Sequence, residues 1–314
     1  MNTESFRGKR MKALVIGANG QLGWELCRRA PRRGFDVVPL DLPLFDITDP
    51  SCVKKETWWK DVDMVINAAA YTAVDKAESE PDLAFAVNRD GPFYVAESCS
   101  QAGSPLVHIS TDFVFGGEKD GPYRETDPVN PVNVYGKSKA EGEKKIRERL
   151  SEHVIIRTSW LYGVHGNNFV RTMLKLGKER ETLRVVNDQY GCPTYAADVA
   201  DAIMCIAEHI LGGKSTAWGT YHYCGRGATT WHRFADAVFD LARRYDALAV
   251  KKVEAILTSE YPTPARRPAN SVLDCSLIEK TFSLARKPWT ESLAVMISRY
   301  YQESPNRQQA NVSQ

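Results

Sequence analysis

What this chain lacks narrows its possible roles. It has no stretch approaching the roughly 20 consecutive apolar residues that a bilayer-crossing helix needs, so no membrane partner is expected. Neither sign of charge prevails: 41 Lys and Arg stand against 39 Asp and Glu, a net charge of +2. A field that weak gives no reason to expect nucleic acid as a partner. There is no Cys-x-x-Cys pair, and the seven cysteines (27, 52, 99, 192, 205, 224 and 275) are odd in number. That usage fits a reduced, cytoplasmic protein whose cysteines serve as small apolar residues. The opening residues 1–10 carry basic side chains but no apolar core of signal-peptide type, and read as a flexible extension. No internal repeat or low-complexity tract appears.

What is there is a globular composition, 43% hydrophobic over 314 residues. At about 150 residues per domain, that length suggests two domains. The apolar run Lys12–Ile16 leads into Gly17-Ala-Asn-Gly20-Gln-Leu-Gly23 and then a helical pattern. Glycines at such a turn let backbone N–H groups approach a pyrophosphate, and a helix N-terminus adds partial positive charge. The spacing departs from the Gly-x-Gly-x-x-Gly dinucleotide fingerprint, and a glycine-rich turn without a ligand is the rival reading. Phe35–Asp41 reads as a second strand. Asp41 at its end either accepts hydrogen bonds from an adenosine ribose, leaning towards NADH, or merely caps the strand.

Residues 63–70 read as a third strand ending in three alanines, 82–102 as a helix, 106–112 as a fourth strand and 153–159 as a fifth. This alternation predicts a doubly wound parallel α/β sheet of Rossmann type. After Gly163 the pattern changes to shorter strands, helices and a proline-rich stretch, 261–271. Residues 11–163 are therefore expected to form a dinucleotide-binding domain. Residues 164–302 are expected to form mainly a smaller α/β substrate-binding domain, with some segments returning to the first, and 303–314 a flexible tail.

Tyr135 and Lys139 lie four apart, on one face of a helix that Pro131 helps to start. A free phenol titrates near pH ~10 and is a poor acid at neutral pH. A neighbouring ammonium would lower that value. Alone the pair reads equally as an ordinary exposed helix.

In order along the chain stand the Gly17 turn, Val74-Asp-Lys-Ala-Glu, Ser110-Thr-Asp-Phe-Val-Phe, Tyr135-Gly-Lys-Ser-Lys, Arg157-Thr-Ser-Trp-Leu-Tyr, Gly166-Asn-Asn-Phe, Asn187-Asp-Gln-Tyr-Gly-Cys-Pro-Thr and Arg267-Pro-Ala-Asn-Ser. Together they resemble the dTDP-4-dehydrorhamnose reductase family of the extended short-chain dehydrogenase/reductases, over nearly the whole chain. The resemblance implies reduction of the C4 keto group of a dTDP-sugar by NADPH or NADH. It makes Tyr135 the proton donor, Thr111 a second hydrogen-bonding group to the same oxygen, and Lys139 the residue that holds the nicotinamide ribose and lowers the Tyr135 pKa.

The cofactor positions it implies are Gly17, Gly20, Gln21, Leu22, Asp41, Asp46, Ala68, Ala69, Ala70, Tyr135 and Lys139. On the substrate side it implies Thr111, Trp160 flanking the sugar and Asn168 at a diphosphate oxygen. Arg267 would be either on the diphosphate or in an interdomain salt bridge, and Lys76 either at the substrate or a solvated loop charge. Some members bind Mg2+ through carboxylates at a dimer interface. Glu25 matches one such ligand, but Tyr195-Ala-Ala-Asp stands where the second belongs and Asp198 is offset by one. The metal is therefore left open, as is a homodimer. Two alternatives remain beside the reductase: a catalytically silent NADP-binding regulatory subunit, like the β subunit of methionine adenosyltransferase, and a reductase of another nucleotide deoxysugar.

Overall fold

In the computed structural model, which describes residues 10–213 and 218–303, the apolar runs become strands. The strands are β1 Met11–Ile16, β2 Phe35–Leu40, β3 Met64–Asn67, β4 Leu106–Thr111, β5 His153–Thr158, β6 Leu161–Tyr162, β7 Thr182–Val186, β8 Tyr190–Gly191, β9 Thr194–Tyr195, β10 Gly219–His222, β11 Thr229–Thr230 and β12 Lys252–Ile256. The expected flexible extension over residues 1–9 and the tail after 303 lie outside the described residues.

Six strands form one parallel sheet in the order β10-β5-β4-β3-β1-β2. Its strands are apolar on both faces. Ala13, Val15, Met64 and Ile66 pack with the Ala196–Leu211 helix on one side. Leu14, Ile16, Val65 and Ile155 pack with Val95, Ala96 and Ile146 of the Gly91–Ala102 and Val134–Arg149 helices on the other. Helices on both faces make this the expected doubly wound Rossmann-type sheet. β1 is flanked by β2 on one side and β3 on the other, so the winding direction reverses between β1 and β3. Ligands bind at such a switch point, beyond the carboxyl ends of the strands.

A second core collects Tyr162, Val170, Phe234, Phe239, Leu293 and Met296. It lies beneath the parallel pair β7 and β12 and the helices Phe169–Glu179, Trp231–Ala242 and Trp289–Glu303. β10 comes from the later half of the chain yet completes the large sheet beside β5.

Two expectations change. β3 ends at Asn67, and Ala68–Ala70 form a loop at the sheet's carboxyl edge. The helix expected over 82–102 is interrupted by a π-helical turn, Ala86–Asp90. That wide turn sets the Asn88 carbonyl against the Val134–Arg149 helix at Gly142. A Cβ at Gly142 would stand 2.0 Å from that oxygen, so the approach requires glycine. Asn88 then fixes the joint through its side chain, bonding Tyr71 N–H, Tyr71 carbonyl and Ser138 hydroxyl at 2.9–3.1 Å.

Candidate active site

The glycine turn after β1 and the alanine loop after β3 form the two walls of the switch-point crevice. Gly17 adopts φ +81°, and a Cβ there would lie 2.5 Å from Ala69 N, so the two walls touch through a residue that only glycine can supply. Gly20 caps the Gln21–Arg29 helix, with Gln21 and Leu22 in its first turn. Asp41, just past β2, accepts from Asn19 N and Leu42 N at 2.8 Å each and so anchors the turn from the far side. Asp46 accepts from Thr48 N and hydroxyl at 2.9 and 2.7 Å and shapes its own loop. The Gln21 side-chain oxygen is buried with no hydrogen-bond partner. A glycine cradle open to backbone approach, a helix N-terminus and this unpaired oxygen fit a dinucleotide.

Tyr135 lies in the first turn of the Val134–Arg149 helix, which Asn133 caps by accepting from Gly136 N at 2.7 Å. Its ring packs edge-on against Phe113, and its hydroxyl lies close enough to Thr111, at the end of β4, for that side chain to bear on its titration. The structure thus brings two of the expected catalytic groups together. It does not show the expected lowering of the Tyr135 pKa. Burial pushes the phenol up to about 12, with the Thr111 contact pulling down and the Asp112 charge pushing further up. Such a phenol is fully protonated at neutral pH, the state a proton donor must start from.

Lys139, 1% exposed, donates to the Ile109 carbonyl at 2.6 Å and lies 3.3 Å from His108 Nε2. Burial brings its ammonium down to about 8, against the opposing charge of Glu143.

The site also contains groups to which the sequence reading assigns no role. Asp112 follows Thr111, is 2% exposed, and accepts from the Thr111 hydroxyl through Oδ1 at 2.9 Å, while Oδ2 has no partner. Burial raises this carboxyl to about 6, with the nearby Ser271 and Thr111 hydroxyls opposing. Behind Lys139, one helical turn on, Glu143 is fully buried. It accepts from Arg157 Nε and Nη2 at 2.8 and 2.6 Å, from Ser110 at 2.6 Å and from Arg147 at 3.1 Å. Ser110 and Arg157 open two of the motifs quoted above, but nothing in the sequence reveals that they converge on one carboxylate.

Of the residues expected on the substrate side, Trp160, Arg267 and Asn168 have partners of their own. Trp160, in the left-handed region at φ 45°, stacks on Trp231 with ring centroids 3.5 Å apart and planes 7° apart. No sequence signal marks Trp231. Arg267 takes the salt-bridge alternative: its guanidinium spans both Asp75 oxygens at 3.1 and 2.9 Å. Asn168 caps the Phe169–Glu179 helix and also donates to the Gly163 carbonyl at 2.9 Å, so both ends of its amide hold its own loop. Lys76 is on the short Val74–Ala77 helix, exposed to solvent. Glu25 is buried and bound by Arg29 at 3.1 Å and Arg299 at 2.6 Å. Asp198 instead meets Lys287 and Ser292. Glu25 already has two guanidinium partners and Asp198 serves another cluster, so these carboxylates do not fit a shared Mg2+ ion.

The matches to known proteins extend over this whole arrangement. The family model described as the RmlD substrate binding domain covers residues 11–302. The chain belongs to this family. A dTDP-4-dehydrorhamnose reductase of Aggregatibacter actinomycetemcomitans is 44% identical over 284 residues, covering 90% of this chain and 97% of the relative. Among solved structures, a dTDP-4-dehydrorhamnose reductase from Clostridium acetobutylicum superposes with a TM-score of 0.86 at 40% identity, covering 92% and 99% of the two chains. One from Bacillus anthracis, in complex with NADP, superposes with a TM-score of 0.84 at 37% identity, covering 94% and 100%. Family membership thus embraces both the crevice and the aromatic core behind Trp160.

Proposed function

We propose that this protein is a cytoplasmic NAD(P)H-dependent reductase that converts the C4 keto group of dTDP-4-dehydro-β-L-rhamnose to the hydroxyl of dTDP-L-rhamnose. What supports the reading is the buried Tyr135 near Thr111 at the carboxyl edge of β4, with Lys139 one helical turn on, in a chain similar over about nine-tenths of its length to such reductases. A bound dihydronicotinamide supplies hydride. The residues around Gly17, with Asp41 and Ala68–Ala70, hold its dinucleotide, and Lys139 orients it from beneath. As hydride arrives at C4, negative charge builds on the carbonyl oxygen. Tyr135 hydrogen-bonds that oxygen and transfers its proton to it, and Thr111 keeps the phenol aimed. Trp160, braced by Trp231, offers a flat apolar face to the sugar.

Tyr135→Phe removes the transferable proton and leaves the packing nearly unchanged. Turnover of dTDP-4-dehydrorhamnose, followed by loss of nicotinamide absorbance with NADPH and with NADH, is expected to fall by about 100-fold or more, while cofactor affinity stays close to wild type. Substantial residual turnover in that variant would overturn the role of Tyr135. Folded wild-type protein that oxidises neither nucleotide would overturn the reductase reading in favour of a silent nucleotide-binding subunit.

A further inference from the structure

Between Trp160 and the helix that Asn168 caps, residues 163–168 run along the glycine turn that follows β1. They are held there from two sides. The His165 ring stacks on Trp24, with centroids 5.0 Å apart and planes 5° apart, and its Nε2 meets the Asn19 carbonyl at 2.9 Å. A carbonyl only accepts, so Nε2 carries the proton. Gly166 lies so close to Gln21 that a Cβ there would stand 2.8 Å from its Cγ. The segment is also braced within itself. Asn168 donates to the Gly163 carbonyl at 2.9 Å, and Arg171 to the Gly166 carbonyl at 2.7 Å.

The residues gripped in this way belong to the cofactor side. Asn19 is fixed from its other side by Asp41, to which its N–H donates at 2.8 Å. Gln21 opens the helix whose first N–H groups suit a pyrophosphate. Its backbone thus serves the cofactor, while its side chain is wedged against the segment that ends at Asn168. The oxygen at the tip of that side chain, Oε1, is buried without a hydrogen-bond partner and lies against Gly163, where a Cβ would stand 3.8 Å away. An unpaired buried acceptor is a cost that the ligand-free fold bears, and an arrangement that pairs it is favoured. At its other end the segment continues through β6 to Trp160, whose carbonyl accepts from Thr194 N at 3.1 Å. One stretch of chain therefore touches the cofactor turn in its middle and carries a sugar-site residue at its start.

We infer that His165 is a positioning residue that couples the two halves of the site: a dinucleotide on the glycine turn fixes residues 163–168 and thereby tightens the seat of the nucleotide sugar. The inference rests on the reductase reading above. A pyrophosphate at the helix N-terminus holds the backbone of Gln21. With the turn so held, the His165 ring and Gly166 keep one position against it. The chain leading back to Trp160 is then ordered before the sugar arrives. The loss of freedom is borne once for both ligands, which is the condition for positive coupling between them. Coupling of binding is reciprocal, so the sugar nucleotide tightens the dinucleotide by the same factor. His165 itself takes no part in hydride or proton transfer.

The test is a binding cycle, read by calorimetry, with dTDP and the tighter-binding of NADP+ and NAD+, each titrated alone and with the other saturating. In wild type each is expected to tighten the other about fivefold or more. In His165→Ala the two separate affinities are expected to stay within about twofold of wild type, while the coupling factor falls to about one. His165→Gln keeps a donor for the Asn19 carbonyl and is expected to retain part of the coupling. A merely structural role would do the opposite, loosening each ligand alone and leaving the coupling intact. Hydrogen exchange supplies a second measurement on the unaltered protein: the dinucleotide alone is expected to slow exchange over residues 163–168. A coupling factor of one in wild type, or full coupling in His165→Ala, overturns the inference. If His165→Ala does not fold, unchanged exchange over that segment in wild type overturns it instead. Wild type that binds a dinucleotide and not dTDP overturns the nucleotide-sugar reading, and the inference with it.

Discussion

Glu143 and Asp112 are both carboxylates withdrawn from water, one behind the Tyr135–Lys139 helix and one at the end of β4, at 0% and 2% exposure. Glu143 is served at both oxygens, by Arg157, Ser110 and Arg147. Burial alone would raise its pKa, but the Arg157 hydrogen bonds and charge reverse this and hold it below the ordinary value. Asp112 has one oxygen paired and one bare, and burial raises it to about 6. The same side-chain chemistry therefore serves two ends. A fully paired buried carboxylate fixes the helix that carries the catalytic groups. A half-paired one beside Thr111 holds free energy that the fold alone does not need, which is how groups near chemistry are commonly found.

The comparison can be broken most forcefully at Glu143. Glu143→Gln leaves Arg157 buried without its counter-charge and is expected to cost about 3–5 kcal/mol, read from chemical denaturation. A loss under about 1 kcal/mol would mean that the pair is not structural. At Asp112 the sign reverses. A folded-state pKa of about 6 against the ordinary 3.8 means the ionised form is disfavoured in the fold, and the penalty is full above pH 6. A rise of that size corresponds to about 3 kcal/mol. Asp112→Asn is therefore expected to be more stable than wild type at pH 7, by up to about 3 kcal/mol. The advantage should shrink as pH falls through 6 and vanish near 4. Equal loss of stability at both pH values would contradict the assignment. The smallest effect is expected at an exposed pair: Lys251, 2.8 Å from Glu181 with side chains 73% and 69% exposed, gives no measurable shift in denaturation midpoint on change to Ala.

Much of this is readable in the residues. Buried parallel strands are continuous apolar runs, so β1 to β5 stand out. The Ala196–Leu211 helix matches its apolar periodicity to the residue. β8, β9 and β11 are two-residue pairings created by tertiary contact, too short for any periodic signal. β12 carries Lys252 and Glu254 among its five residues, and that charge hides it from an apolar-run reading. The π-helical turn depends on a carbonyl meeting Gly142, which no local pattern encodes. Tyr135, Lys139 and Thr111 are legible as residue types at a spacing, but their protonation is not. Sequence shows that Lys139 is one turn from Tyr135, and it does not show that burial outweighs that proximity. Asn168 and Arg267 illustrate the same limit: an amide at a helix start and a guanidinium in a loop suit an anion, and here each has a partner within the protein.

The placement of β10 has a consequence for how the chain reaches this state. β5 is buried along its whole length, and its outer edge is closed only by Gly219–His222. During synthesis the ribosome delivers β1 through β5 in one continuous stretch, then about 60 further residues that include Tyr162 and Val170 of the second core, before the closing strand emerges. Through that interval the nascent sheet ends in a bare, hydrophobic edge, the kind that recruits strands from other chains. Cellular yield of this protein should thus depend on how quickly translation passes from Thr158 to His222, a quantity that synonymous codon changes in that interval can alter without touching a single side chain.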